Sequence, residues 1–120
     1  MHELSIAQNI LEIVAERLTA DQREHVKSIK LRVGEQAGVV AESLQFGFHA
    51  LTESTPLQAS VLEIERVPFV VQCQKCGGQS TNDAGIFFCS LCNSDNVRMI
   101  SGDELEVIAF EVFDEKEATI

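Results

Sequence analysis

The sequence predicts an α+β fold: a small three-stranded sheet with two helices, plus an inserted zinc-ribbon-like module between the second and third strands. Three observations lead there. Two segments repeat apolar residues at helical spacing, three segments alternate apolar and charged residues, and all four cysteines fall in the gap before the last of these. Residues 1–68 with 104–120 would form the α+β domain and residues 69–103 the module. A chain of 120 residues suffices for one compact core and a small stapled loop, but not for two full domains.

The first helix spans residues 3–19, because Leu4, Ala7, Ile10, Leu11, Val14 and Leu18 share one face while Glu12, Glu16 and Arg17 fall on the other. Ile29, Leu31 and Val33 then alternate with Lys30 and Arg32, the period of a half-buried strand that ends at Gly34. A second helix runs from about Ala41 to Thr52, with Val40, Leu44, Phe48 and Leu51 as its apolar face and Gly47 open to close approach by another backbone. Thr55 and Pro56 break it. In residues 61–67, Leu62 and Ile64 alternate with Glu63 and Glu65, and Pro68 closes that strand. After a turn at Ser101 and Gly102, residues 105–113 form the third strand, with Ile108, Phe110 and Val112 on one face.

Nineteen acidic against nine basic residues give a formal charge of −10, which argues against nucleic acid as a partner because phosphate binding needs clustered Lys and Arg. Across residues 69–100 Lys75 and Arg98 balance Asp83 and Asp95, so the acidity lies outside the cysteine segment. Asp103, Glu104, Glu106, Glu111, Asp114, Glu115 and Glu117 concentrate it near the C-terminus, as a solvated face or as an attraction for a basic partner or a cation. No apolar run is long enough to cross a bilayer, and no secretory signal pattern opens the chain, so it reads as cytoplasmic.

Cys73, Cys76, Cys89 and Cys92 form two C-x2-C pairs with twelve residues between them. Each pair places two sulfurs on one side of a metal, and thiolates bind Zn²⁺ at about 2.3 Å in a tetrahedral set. Gly77 and Gly78 after Cys76, and Asn93 after Cys92, tolerate the left-handed backbone that tight metal knuckles use. With four protein ligands such a site is closed, so it serves structure and leaves no position for a catalytic water. Two disulfides would require one of three connectivities and belong to secreted chains. Iron in the same thiolate set stays open, because ligand type and geometry do not separate the two metals.

The N-terminus, Met1-His2-Glu3-Leu4, offers a second donor set. The terminal amine of Met1 and the deprotonated amide of His2 close a five-membered chelate ring, and the His2 imidazole closes a six-membered one. Such planar nitrogen sets suit Ni²⁺ or Cu²⁺ rather than Mg²⁺ or Ca²⁺. Glu3 would add an oxygen ligand or steer the cation, and a residue as large as His2 protects Met1 from removal. From the residues alone a second reading stays open, in which His2 is an ordinary exposed side chain at a frayed end and Glu3 complements the helix dipole.

Taken together these pieces resemble the HypA/HybF family of nickel-insertion accessory proteins for nickel-iron hydrogenases. Met1-His2-Glu3-Leu4-Ser5 is similar to that family's opening motif, Val33-Gly34-Glu35 to the end of its first strand and Leu44 to Phe48 to its second helix. Cys73 to Cys92 resembles its zinc loop, and Gly102-Asp103-Glu104-Leu105 the start of its final strand. The resemblance covers the whole chain in order. It implies a metallochaperone, not an enzyme, that binds Ni(II) through the Met1 amine and His2 with Glu3 tuning or joining the site. It further implies structural Zn(II) on the four cysteines, and transfer with a partner GTPase to the hydrogenase large subunit. Some family members add an acidic residue after the first strand, where this chain has Val39, Val40 and Ala41 and the nearest carboxylate is Glu42. The expected state is a monomer or weak homodimer without membrane or nucleic-acid partners.

A rival class is a zinc-ribbon adaptor or regulator that never carries nickel. A metallohydrolase is disfavoured, since no H-E-x-x-H motif occurs. His25 reads as an exposed loop residue, His49 as a surface or half-buried helix residue, and Phe87 and Phe88 as packing for the module.

Overall fold

The computed structural model describes residues 2–113. In chain order it contains α1 (His2–Arg17), α2 (Ala20–Arg23), β1 (Val26–Gly34), α3 (Ala41–Thr52), β2 (Val61–Val67), β3 (Val70–Cys73), β4 (Gln79–Ser80), β5 (Val97–Ser101) and β6 (Leu105–Val112). The strands form two three-stranded sheets, ordered β2-β1-β6 and β4-β3-β5. The mixed helix-and-strand class and the inserted cysteine module are as the sequence predicts. Two compact units divide the chain: one takes in residues up to Leu31, Val40–Ile64 and from Val107 onward, the other Arg32–Val39 and Glu65–Glu106.

In the first unit α1 packs on α3. Ala7, Val14, Leu44 and Phe48 are fully buried, and Ile29 and Leu31 of β1 are buried with them. Gly47 faces Leu4 and Ala7 of α1, and a Cβ there would stand 3.6 Å from Leu4 Cδ1, an ordinary contact distance, so the helix pair is close at this point but does not demand glycine. Apolar area of this kind stabilises a fold by about 25 cal/mol per Å² removed from water, which makes the α1–α3 seam the main source of order for the N-terminal helix.

The elements depart from the sequence reading in four places. The first helix stops at Arg17, because Thr19 starts the separate α2 through a reciprocal capping box: Thr19 N–H donates to Gln22 Oε1 at 2.9 Å, and Gln22 N–H to Thr19 Oγ1 at 3.2 Å. Val40 does not join the apolar face of α3. It sits before the helix in extended conformation and is 57% exposed, while Thr52 occupies a buried place and donates its hydroxyl to Phe48 O at 2.9 Å. The face of β6 is shallower than alternation predicts, with Ile108 and Phe110 half-buried and Val112 exposed. The sheet β4-β3-β5 has no counterpart in the sequence reading.

The second unit is held by backbone as much as by side chains. Gly34 N–H donates to Glu104 O at 2.7 Å and Gln36 N–H to Gly102 O at 2.6 Å. A Cβ at Gly34 would run into the Gly102 carbonyl, so glycine is required for that approach. Glu35 accepts from Phe69 N–H at 2.7 Å, fixing the entry to β3, and Phe69 is buried. Phe69 rather than Phe88 is the buried aromatic of this unit: Phe88 is half-buried, and Phe87 is exposed with its ring 5.4 Å from that of Phe69.

Candidate metal centres

Both cysteine pairs sit on knuckles closed by the same two backbone hydrogen bonds. Cys73 N–H donates to Gly78 O at 2.9 Å and Gly77 N–H returns to Cys73 O at 3.2 Å. In the second knuckle Cys89 N–H donates to Ser94 O at 2.8 Å and Asn93 N–H to Cys89 O at 2.7 Å. The fourth residue beyond each first cysteine is left-handed, Gly77 at φ 77° and Asn93 at φ 63°, the conformation those residue types accept. β3 carries Cys73 into the first knuckle, and β5, paired with β3 from Cys73 opposite Val97, follows the second.

The four sulfurs converge, all within 4.8 Å of one another. Cys73 Sγ lies 3.6 Å from Cys92 Sγ, and Cys76 Sγ 3.7 Å from Cys89 Sγ. A tetrahedron with Zn–S bonds of about 2.3 Å has edges of about 3.8 Å, whereas a disulfide needs about 2.05 Å. All four cysteines are unbridged. Cys73 and Cys89 are buried while Cys76 and Cys92 are exposed, so one sulfur of each pair faces solvent.

The electrostatics favour thiolates at two positions and hinder them at the other two. The backbone N–H of Cys76 holds the Cys73 thiol down at about 6, against the effect of burial, and Lys75 N–H adds to it; both amides lie 3.3 Å from the sulfur. Cys89 is lowered as well: burial opposes its thiolate, but the N–H groups of Cys92 and Leu91 outweigh it. At Cys92 the N–H of Ser94 favours the thiolate, yet burial and the neighbouring sulfurs push the thiol up to about 11. Cys76 is raised too, since Cys89, burial and Cys73 overcome the N–H of Gly78. Four thiolates at these separations repel one another, and a divalent cation among them removes that repulsion. The donor set fits a closed metal site.

At the other end of the chain His2 opens α1. Its Nε2 lies 3.2 Å from Glu3 Oε2, with the His2 side chain 59% exposed and Glu3 16%. Glu3 also accepts the Val40 N–H at 3.3 Å, a link across 37 positions. That hydrogen bond is the main reason the Glu3 carboxyl is held below its ordinary value, with the His2 charge contributing. As the first helical residue, His2 has an amide with no acceptor inside the helix. Because Nε2 faces Glu3, Nδ1 is the imidazole nitrogen left for a chelate with that amide. The Met1 amine lies outside the described residues, as do Asp114, Glu115 and Glu117. Glu42 and Glu3 line one hollow.

Among the described residues the four cysteines are the one group of three or more His, Cys, Asp and Glu side chains that converges on a metal position. His2 and Glu3 form a pair. His25 is half-buried rather than exposed, its Nδ1 2.8 Å from Asp21 O, and His49 is exposed with its ring edge against Phe48. The Val40 amide carries no mark in the sequence, and nothing in residue type or spacing points to it.

Fold and donors together define a small α+β metal-binding protein with a four-thiolate centre. Residues 1–112 match the model of a family described as "HypA: Hydrogenase/urease nickel incorporation, metallochaperone, hypA". The chain is 39% identical over 112 residues to the hydrogenase maturation factor HypA of Chloroflexus aurantiacus, covering 92% of this chain and 98% of that one. It is 32% identical over 119 residues to the corresponding factor of Dehalococcoides mccartyi, covering 99% and 100%. The solution structure of the Ni metallochaperone HypA from Helicobacter pylori is similar in fold, with a TM-score of 0.62 at 20% identity over 92% of this chain and 96% of that one. A second solution structure of a HypA protein reaches a TM-score of 0.66, also at 20% identity, over 94% and 97%. The chain belongs to the HypA family of nickel-incorporation metallochaperones.

Proposed function

We propose that this chain binds Ni(II) as cargo through the Met1 amine, the His2 amide nitrogen and the His2 imidazole. It would deliver the ion, with the maturation GTPase of the same pathway, to the large subunit of a nickel-iron hydrogenase in the cytoplasm. Residues 1–68 with 104–120 would carry nickel, and the module 69–103 would hold Zn(II) on Cys73, Cys76, Cys89 and Cys92. The observation that carries the reading is the pose of His2 at the head of α1, with Nε2 against Glu3 and the amide without a helical partner.

In this reading Glu3 acts on the imidazole rather than on the ion. A carboxylate at Nε2 fixes the ring and its tautomer, as outer partners of metal-bound histidines commonly do. The Val40 N–H then fixes Glu3. Amide coordination requires loss of a proton, so acidification returns the proton and expels the ion, which makes the site tight at neutral pH and still able to release. When bound, zinc ties the two knuckles together and supplies no reactive position. His2→Ala should abolish tight nickel binding while zinc content and fold persist. Unchanged nickel affinity in that variant, measured calorimetrically on untagged protein, would refute the assignment.

A further inference from the structure

The four cysteines differ in access as well as in position. Cys73 and Cys89 are buried, and Cys76 and Cys92 are exposed. Each exposed cysteine meets the buried one of the other knuckle: Cys92 Sγ lies 3.6 Å from Cys73 Sγ, and Cys76 Sγ 3.7 Å from Cys89 Sγ. Within the first knuckle separate amides hold the two sulfurs, since Cys73 Sγ accepts from Lys75 and Cys76 N–H at 3.3 Å and Cys76 Sγ from Gly78 N–H at 3.4 Å. Beside Cys76, Gly77 stands against open space, with no atom within 4 Å of where its Cβ would be. An oxidant from solvent therefore meets Cys76 or Cys92 first, and a second sulfur is already in contact from across the site.

Resting on the reading of these cysteines as the zinc site, we propose that they are also a reversible oxidation site for hydrogen peroxide, which links Cys73 to Cys92 and Cys76 to Cys89 across the two knuckles. A thiol that coordinates a metal is deprotonated, so access rather than acidity decides which sulfur reacts first. The exposed thiolate attacks one peroxide oxygen, the O–O bond breaks, and hydroxide leaves as a sulfenic acid forms. The buried thiolate then attacks that sulfenic sulfur, the S–O bond breaks, and a second hydroxide leaves as the disulfide closes. Each peroxide takes up the two electrons that one pair gives, so two peroxides convert four thiolates into two disulfides and free the divalent ion. Closing a 3.6 Å contact to the about 2.05 Å of a disulfide asks each sulfur to move by about 0.8 Å. Both links join one knuckle to the other, so the module gives up its ion and keeps a staple in its place.

The test uses untagged full-length chain whose zinc content is measured first. Titration with hydrogen peroxide at neutral pH should release one zinc for every two peroxides consumed, read with a chromogenic chelator. Tandem mass spectrometry of unreduced peptides should find Cys73 joined to Cys92 and Cys76 to Cys89, with residues 69–103 still resistant to protease. Dithiothreitol with added zinc should restore the starting form. Zinc held while free cysteine in the same solution is fully oxidised would overturn the inference. So would any other pairing, Cys73 with Cys76 included, or passage to sulfinic and sulfonic acids without disulfides. The two readings fail separately: protein that binds no zinc defeats the metal site, whereas zinc-loaded protein without the cross-knuckle links defeats only the oxidation site.

Discussion

The two compact units keep their order by different means. Among the described residues the first buries nine apolar side chains, Phe48, Leu44, Ile29 and Leu31 included, whereas the second buries six, and two of those are the cysteines Cys73 and Cys89. A unit whose buried set includes its own metal ligands depends on the metal, because repelling thiolates replace packing when the ion leaves. The proposed nickel ligands invert this relation. His2 lies on a helix already secured by Ala7, Ile10 and Val14, so the cargo can come and go without unfolding its holder.

Removing a cysteine should therefore have the largest effect. Cys73→Ala or Cys92→Ala is expected to eliminate bound zinc and to make residues 69–103 protease-sensitive, while the α1–α3 seam persists. Metal analysis with limited proteolysis checks both, and full zinc content with native resistance would contradict the closed site. Next in size, Phe48→Ala should cost the first unit about 3–5 kcal/mol, read by denaturant unfolding of zinc-loaded protein. A loss under about 1 kcal/mol would mean that the seam is not the source of order claimed here. Thr19→Ala should cost about 1 kcal/mol through its capping box, measured in the same way.

The smallest effect concerns pH. Glu3 has a folded value below its ordinary 4.5, chiefly because of the Val40 N–H. Its contribution is thus present above about 4.5 and fades as pH falls through the lowered folded value. The Val40 amide resonance should follow that titration, and Glu3→Gln should abolish it. A Val40 shift independent of pH below 4.5 would remove the link.

The same contrast explains what could be read from residues alone. The thiolate centre was legible because its donors lie close in sequence and its knuckles announce themselves through Gly77 and Asn93. The helices and the main sheet followed from apolar periods, with Leu44, Phe48, Ile29 and Leu31 all buried as their spacing predicts. Short α2 was missed because its Thr19-to-Gln22 signal lies in a polar stretch without periodicity. The sheet β4-β3-β5 was missed because strands such as β4, two residues long, leave too few positions to alternate. The Glu3–Val40 tie joins a side chain to a backbone amide 37 positions away, and such pairings have no sequence signature. His2 is proposed from its place beside the Met1 amine rather than from any spacing pattern.

Nickel titration of zinc-loaded protein, with its native first residue and with a short N-terminal extension, tests the delivery role most directly. Tight binding by the native form and its loss in the extended form is the expected result. Equal affinity in both would contradict a nickel site built on Met1 and His2.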